Sequence, residues 1–421
     1  MHYLAYEIQS NLAAPLRALA RQAVEVSDGW TSGAMDGWLG GLPAWRMMTA
    51  GWSLLADTRL SHSRPPFGID EIAVGRSTVK VREEAALATP FGTLLRFAKE
   101  GPLANGNGAV AAEAEQPKVL VVAPLSGHFA TLLRGTVRTL LREHDVYITD
   151  WHNARDVPLS AGAFGFDEYV DHLIRYLRHL GPGTNLVAVC QPCVQALAAT
   201  AVMAEAGDPA QPASMTLMAG PVDTRVNPTE VNRLATERPI EWFESKLIAT
   251  VPPVHPGAGR RVYPGYMQLM AFMAMNPDRH VKAHGDLFRH LANGDAEKAR
   301  AIRTFYDEYY AVLDLTAEFY LETVQKVFQE ALLAKGELTF RGRPVRPAAI
   351  RRTALLTVEG ERDDICSMGQ TVAAHDLCSG LKPYLKRHHL QADVGHYGVF
   401  NGRRWDSQIY PIVRNLILSS I

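Results

Sequence analysis

The sequence predicts an α/β fold built on a mostly parallel sheet. Five short apolar runs end at turn residues: "KVLVVAP" (118–124), "DVYITDW" (145–151), "NLVAVC" (185–190), "SMTLMAG" (214–220) and "TALLTVEG" (353–360). Runs that are apolar throughout suit strands covered on both faces. Helical periodicity lies between them; in "DEYVDHLIRYLRHLG", Val170, Leu173, Ile174 and Leu177 fall at i, i+3, i+4 and i+7, and Gly181 stands at the C-cap position. Strand alternating with helix is the α/β pattern.

Taken in order, residues 1–100 read as a mostly helical N-terminal segment and 101–117 as a linker, inside the Gly/Ala/Asn-rich stretch "KEGPLANGNGAVAAEAEQPK". Residues 118–224 form the first part of the core, and 340–421 the second. Between them, 225–339 replace the alternation with long helical patterns such as "AIRTFYDEYYAVLDLTAEFYLETVQKVFQEALL". An insertion between two strands of a parallel sheet is read as a helical cap over the site. In the N-terminal segment Trp30, Trp38, Trp45 and Trp52 recur at spacings of eight, seven and seven, along one side of helical structure. In the cap, Met267, Met270, Met273, Met275 and Phe272 make a flexible apolar set. His280 and His284 have the i, i+4 spacing of metal ligands but no third ligand nearby, and read as a solvated helix face.

Composition removes several functions. The net charge is −1 and no Lys/Arg run appears, so no footprint for nucleic acid or an anionic membrane is expected. No segment supplies the roughly 20 apolar residues of a membrane span, and the start lacks a signal-peptide pattern, so the expected location is cytoplasmic. Four cysteines, at 190, 193, 366 and 378, are too few for a disulfide scaffold.

Cys190 stands where the run "NLVAVC" meets the helix "PCVQALAATAVMAEA". The spacing of Cys190 and Cys193 also suits a redox pair or half of a zinc site. The redox motif, however, belongs near the start of a small βαβ unit, and a zinc site needs about four ligands, whereas Cys366 and Cys378 supply no second C-x-x-C. A nucleophile at a strand-to-helix turn explains more, because the helix N-terminus favours a thiolate and neighbouring N–H groups face the same space. This is the elbow of α/β-hydrolases, with Ala188 and Pro192 in place of the usual flanking glycines. That fold places the triad in the order nucleophile, acid, histidine. Asp363, in the turn that follows "LLTVEG" and three residues after Gly360, is the expected acid with Asp364 as fallback, and His396, between glycines in "VGHYG", is the expected base. Oxyanion donors are expected from the backbone N–H of Gln191 and from Leu125 or Ser126 in "APLSGHFATLLRG". His128 in that loop reads either as a loop-stabilising hydrogen-bonder or as a substrate contact.

The elbow "VCQP", the segment "YITDWHNARDVPLSAGAFGFDEYV", the acid loop "VEGERDDI", "GHYGVFNGRRW" and the start "YEIQSNLAAPLRALA" resemble the intracellular poly(3-hydroxybutyrate) depolymerases over nearly the whole chain. These are related in fold to polyhydroxyalkanoate synthases. The resemblance implies an α/β-hydrolase with a Cys190, Asp363, His396 triad that cleaves stored polyester, with the polyhydroxybutyrate granule surface as partner. No cofactor and no metal are implied. An acyl thioester on Cys190 would pass to water, giving 3-hydroxybutyrate products, or to coenzyme A (CoA), giving 3-hydroxybutyryl-CoA; the sequence does not choose. On this view the tryptophan stripe either packs on the core or adsorbs to the granule. Competing functions are a polyhydroxyalkanoate synthase-like acyltransferase, against which the missing elbow glycines count, a non-catalytic granule-binding protein, and a thiol oxidoreductase in which Cys193 resolves.

Overall fold

The computed structural model describes residues 3, 6–7, 15, 18–20, 22–25, 47–53, 60–100, 116–275 and 277–420. Trp30, Trp38, Trp45 and most of the linker lie outside the described residues, as do the side chains of Phe272 and Met275. Nine strands form the main sheet: β1 (Glu71–Val74), β2 (Ser77–Ala88), β3 (Gly92–Glu100), β4 (Lys118–Val122), β5 (Asp145–Trp151), β6 (Asn185–Val189), β7 (Ser214–Met218), β8 (Ala354–Gly360) and β9 (Lys386–Gln391). Their order is β1-β2-β3-β5-β4-β6-β7-β8-β9. From β5 to β9 all pairings are parallel, while β3 runs antiparallel to both β2 and β5. This is the α/β-hydrolase fold.

The central strands divide their residues between two cores. In β4, Leu120 and Val122 join one cluster and Val119 and Val121 the other; in β6, Leu186 and Ala188 oppose Val187 and Val189. Period-two alternation with both faces apolar is what a doubly covered strand requires. One face is covered by α2 (Phe166–Leu180) and α3 (Cys193–Glu205), the other by α1 (Arg134–Leu140) and α10 (Tyr410–Leu418). Val170, Leu173, Ile174 and Leu177 are all buried, and Gly181 ends α2 at φ +84°, a conformation that favours glycine.

Residues 71–100 correct the reading of 1–100 as helical. They form β1–β3 and extend the sheet at its antiparallel edge. β1 alternates exposed and buried residues strictly, and β2 carries charge on its open face ("KVREE"). Such half-covered strands lack the continuous apolar signature of the central ones.

After β7 the chain leaves the sheet and returns at β8. The excursion carries α4 (Glu230–Glu237), α5 (Ile240–Leu247), α6 (Gly265–Met275), α7 (Pro277–Ala292), α8 (Ala296–Tyr309) and α9 (Ala317–Thr323). It is sewn to the loop after β4: the Leu313 N–H donates to Gly127 O (3.0 Å), and His128 bridges to Val312. His280 and His284 do not form a solvated face. His280 is buried, with Nδ1 3.0 Å from the Tyr306 hydroxyl, and His284 Nε2 lies 3.0 Å from the Tyr310 hydroxyl, so both tie α7 to α8 and its C-terminal end. Among the described residues, no group of three His, Cys, Asp or Glu could hold a metal ion, and no helix is long and apolar enough to cross a membrane.

Candidate active site

β6 ends at Val189 and α3 begins at Cys193, so Cys190 must turn the chain within three residues. It does so at φ +66°, in the left-handed region that a side-chain-bearing residue occupies at a strain of about 1–3 kcal/mol. The turn is held by hydrogen bonds from the Cys190 N–H to Met218 O (2.8 Å) and from the Cys193 N–H to Cys190 O (3.1 Å). The sulfur-bearing residue is thereby lifted into a cavity at the C-terminal ends of the strands.

Cys193 points the other way. It is fully buried, and burial pushes its thiol well above the usual range. Gly220 makes room for it: a Cβ there would collide with the Cys193 side chain. All four cysteines are free thiols. The Cys193 thiol already faces the carbonyls of Ala188 (3.4 Å) and Met218 (3.7 Å), which a hydroxyl also satisfies. Cys193→Ser is therefore expected to retain ester cleavage and to lose about 1 kcal/mol of stability. Steady-state kinetics and thermal melting check this, and an inactive but folded variant would restore the dithiol reading.

His396 opens a short helical turn after β9, and Asp363 lies in the turn after β8. The His396 Nδ1 donates to Asp363 Oδ2 at 2.8 Å with both side chains buried. The other carboxylate oxygen accepts the backbone N–H groups of Ile365 (2.9 Å) and Cys366 (2.8 Å), fixing the carboxyl plane. The fallback, Asp364, is exposed. His396 and Cys190 line the same cavity. Burial alone would lower the pKa of His396; the negative charge of Asp363, then that of Cys190, and the hydrogen bond to Asp363 outweigh burial and hold the imidazole well above its ordinary range. The structure thus brings together Cys190, His396 and Asp363 from three separate loops.

Sequence reasoning missed the group that holds the acid loop. Glu359, buried in β8, accepts the N–H groups of Thr371 (2.7 Å), Val372 (3.0 Å) and Gly369 (3.0 Å). Thr371 in turn exchanges hydrogen bonds with Gly220, accepting from its N–H (2.8 Å) and donating to its carbonyl (3.0 Å). The acid loop is therefore hydrogen-bonded to the end of β7, whose Met218 carbonyl also accepts the Cys190 N–H of the elbow. The signal was a carboxylate inside the apolar run "TALLTVEG".

The loop after β4 is equally anchored. Trp151 Nε1 (3.0 Å) and the Tyr169 hydroxyl (3.1 Å) both donate to Ala123 O. The three expected oxyanion residues separate here. The Leu125 N–H points at the side-chain oxygen of Gln191 at 3.4 Å, because the Gln191 amide folds back over the loop, and is thereby committed. The backbone N–H groups of Ser126 and Gln191 have no acceptor among the described residues. His128 is buried, burial pushes its pKa down to about 4, and it both lines the cavity and bridges to the cap.

The cavity, of about 220 Å³, is roofed by the cap residues Leu234, Phe243, Phe319, Tyr320 and Phe328 and floored by Cys190, His396 and Phe400. Its walls are mainly apolar, which suits a hydrophobic acyl chain. Asp314 anchors the roof: it is fully buried and accepts the Gly265 N–H (2.9 Å) at the start of α6 and the Tyr3 hydroxyl (2.5 Å). Burial pushes its carboxyl up to about 6 despite those hydrogen bonds. A carboxyl raised in the folded state adds stability below its unfolded pKa and loses it as pH rises through about 6. Between pH 4 and pH 7 the stability difference is therefore expected to move in favour of Asp314→Asn by on the order of 2–3 kcal/mol, measured by chemical denaturation at both pH values. A difference that does not change with pH contradicts this assignment.

Residues 219–420 match the family model described as PHB de-polymerase C-terminus. The C-terminal part of the chain, from residue 219 on, carries this family's signature. The matched region carries Asp363 and His396 and begins after Cys190. The match supports ester-bond hydrolase activity. No curated protein matches the chain. Among solved structures, the chain is similar to 2-hydroxy-6-oxo-6-phenylhexa-2,4-dienoate hydrolase from Rhodococcus sp. strain RHA1 (11% identity, TM-score 0.44, covering 81% of this chain and 99% of that one). It is also similar to a thermophilic esterase from Thermogutta terrifontis (14%, 0.40, 81% and 99%) and to a monoacylglycerol lipase from Paleococcus ferrophilus (13%, 0.40, 73% and 97%).

Proposed function

We propose that the protein is an intracellular depolymerase that cleaves amorphous poly(3-hydroxybutyrate) at the granule surface through Cys190, His396 and Asp363. The observation that carries this reading is Cys190, strained at φ +66° on the floor of an apolar cavity that it shares with a His396 held by Asp363 at 2.8 Å. The match of residues 219–420 to the PHB depolymerase C-terminus supports the polymer as substrate.

In the mechanism the proton rests on His396, balanced by Asp363, and the Cys190 sulfur attacks the ester carbonyl. The N–H groups of Gln191 and Ser126 take the developing oxyanion. As the tetrahedral species collapses, the bond from carbon to the 3-hydroxyl oxygen breaks, and His396 delivers its proton to that oxygen. The acyl group is left as a thioester on Cys190. Water, giving its proton to His396, then attacks the thioester to release a 3-hydroxy acid and restore the thiolate. If coenzyme A replaces water, its sulfur takes the acyl group and 3-hydroxybutyryl-CoA leaves.

The test is turnover of protein-free amorphous poly(3-hydroxybutyrate) granules with and without coenzyme A, followed by identification of the product. Release of 3-hydroxybutyrate or its oligomers without coenzyme A supports hydrolysis. Release of 3-hydroxybutyryl-CoA alone supports thiolysis, and inactivity under both conditions refutes the polymer assignment.

A further inference from the structure

We propose that Gln268 is a substrate-binding residue that selects polyester over simple ester by donating a hydrogen bond to the carbonyl of a repeat next to the one being cleaved; the inference rests on the polyester reading above. Helix α6 reads "GYMQLMAFMAM", and Gln268 is its one amide side chain. A helix apolar on every side gains nothing in packing from a glutamine, so the polar group calls for a ligand. Asp314 fixes the start of this helix, and Gln268 sits in its first turn, where it lines the cavity together with Cys190 and His396. Its stem presses on Gly127 in the oxyanion loop: a Cβ at Gly127, which itself stands at φ +92°, would lie 2.9 Å from Gln268 Cγ and 3.1 Å from its Cβ. The amide is thereby held beside the loop that carries the Ser126 N–H. No hydrogen bond ties that amide to any described residue.

The chemistry of the substrate supplies the match. A simple ester carries a single carbonyl, and the Gln191 and Ser126 N–H groups are spent on it. A poly(3-hydroxybutyrate) chain carries another carbonyl at every repeat; the apolar walls of this cavity suit its methyl and methylene groups, and a second carbonyl buried among them needs a donor of its own. The Gln268 amide, in the same cavity and held beside the loop that carries Ser126, is placed to be that donor.

The experiment measures kcat/KM for 3-hydroxybutyrate trimer methyl ester and for methyl butyrate by acid release, in wild type, Gln268→Met and Gln268→Glu. The readout is the ratio of the two values, which is independent of the fraction of enzyme that is folded. Wild type is expected to favour the trimer, and both variants, which lack the amide donor, are expected to lower that ratio about tenfold, the effect of one hydrogen bond to a buried carbonyl. A wild type that favours the trimer with an unchanged ratio in both variants overturns the role of Gln268. A wild type that does not cleave the trimer overturns the polyester reading on which the role rests.

Discussion

Cys190→Ala is expected to lower kcat/KM on ester substrates by roughly 10⁴- to 10⁶-fold, the range seen when a covalent nucleophile is removed from a triad. Stability should not follow activity. Cys190 is only partly buried and stands at φ +66°, where any Cβ is strained. Cys190→Gly, which relieves that strain, is therefore expected to be as inactive as the alanine variant yet more stable than wild type by about 1 kcal/mol. Kinetics on a soluble ester and denaturant melts of the three proteins separate a catalytic role from a structural one. Residual activity within tenfold of wild type in a folded Cys190→Ala protein would mean that the cleavage runs through another group.

The second large effect belongs to Asp363→Asn, for which a loss of about 10³- to 10⁴-fold in kcat is expected. The reason lies in the loop. The N–H groups of Ile365 and Cys366 require an acceptor at the Oδ1 position, so an asparagine places its oxygen there and turns its NH₂ toward His396 Nδ1. Nδ1 must then accept rather than donate, and the imidazole is left in the wrong tautomer. The charge is lost as well. With the Asp363 charge gone, less opposes the effect of burial and the His396 pKa falls. A group raised in the folded state keeps its proton until pH rises through that raised value, so removing the cause brings the loss forward. The alkaline limb of the pH–rate profile, which reports loss of the protonated His396 acid, is expected to move to lower pH in Asp363→Asn. A profile that does not move would separate Asp363 from the proton on His396.

Much of this architecture was legible because central strands of a doubly covered sheet are apolar at every position, and "KVLVV", "NLVAV" and "SMTLM" occur as such runs. Cys190 stood out for the same reason, being the point where such a run meets a helix. β1–β3 were not legible as strands, since an antiparallel edge with one open face carries charges that a helix surface also carries. Of the oxyanion candidates, Leu125 was indistinguishable from Ser126 in sequence, because what separates them is a hydrogen bond to the side chain of Gln191, 66 residues away.

The sequence by itself determined the layered core, the strand-to-helix turn at Cys190, and the chain order of Cys190, Asp363 and His396, since periodicity and turn chemistry are local and act along the chain. The tertiary structure alone decided that Asp363 rather than Asp364 faces His396, that Glu359 holds the acid loop, which Thr371 ties to Gly220 at the end of β7, and that α6 brings Gln268 over Gly127. Those pairings join residues far apart in sequence, and each is fixed by which buried donors and acceptors the folded chain brings within reach, a quantity that no local pattern of residues encodes.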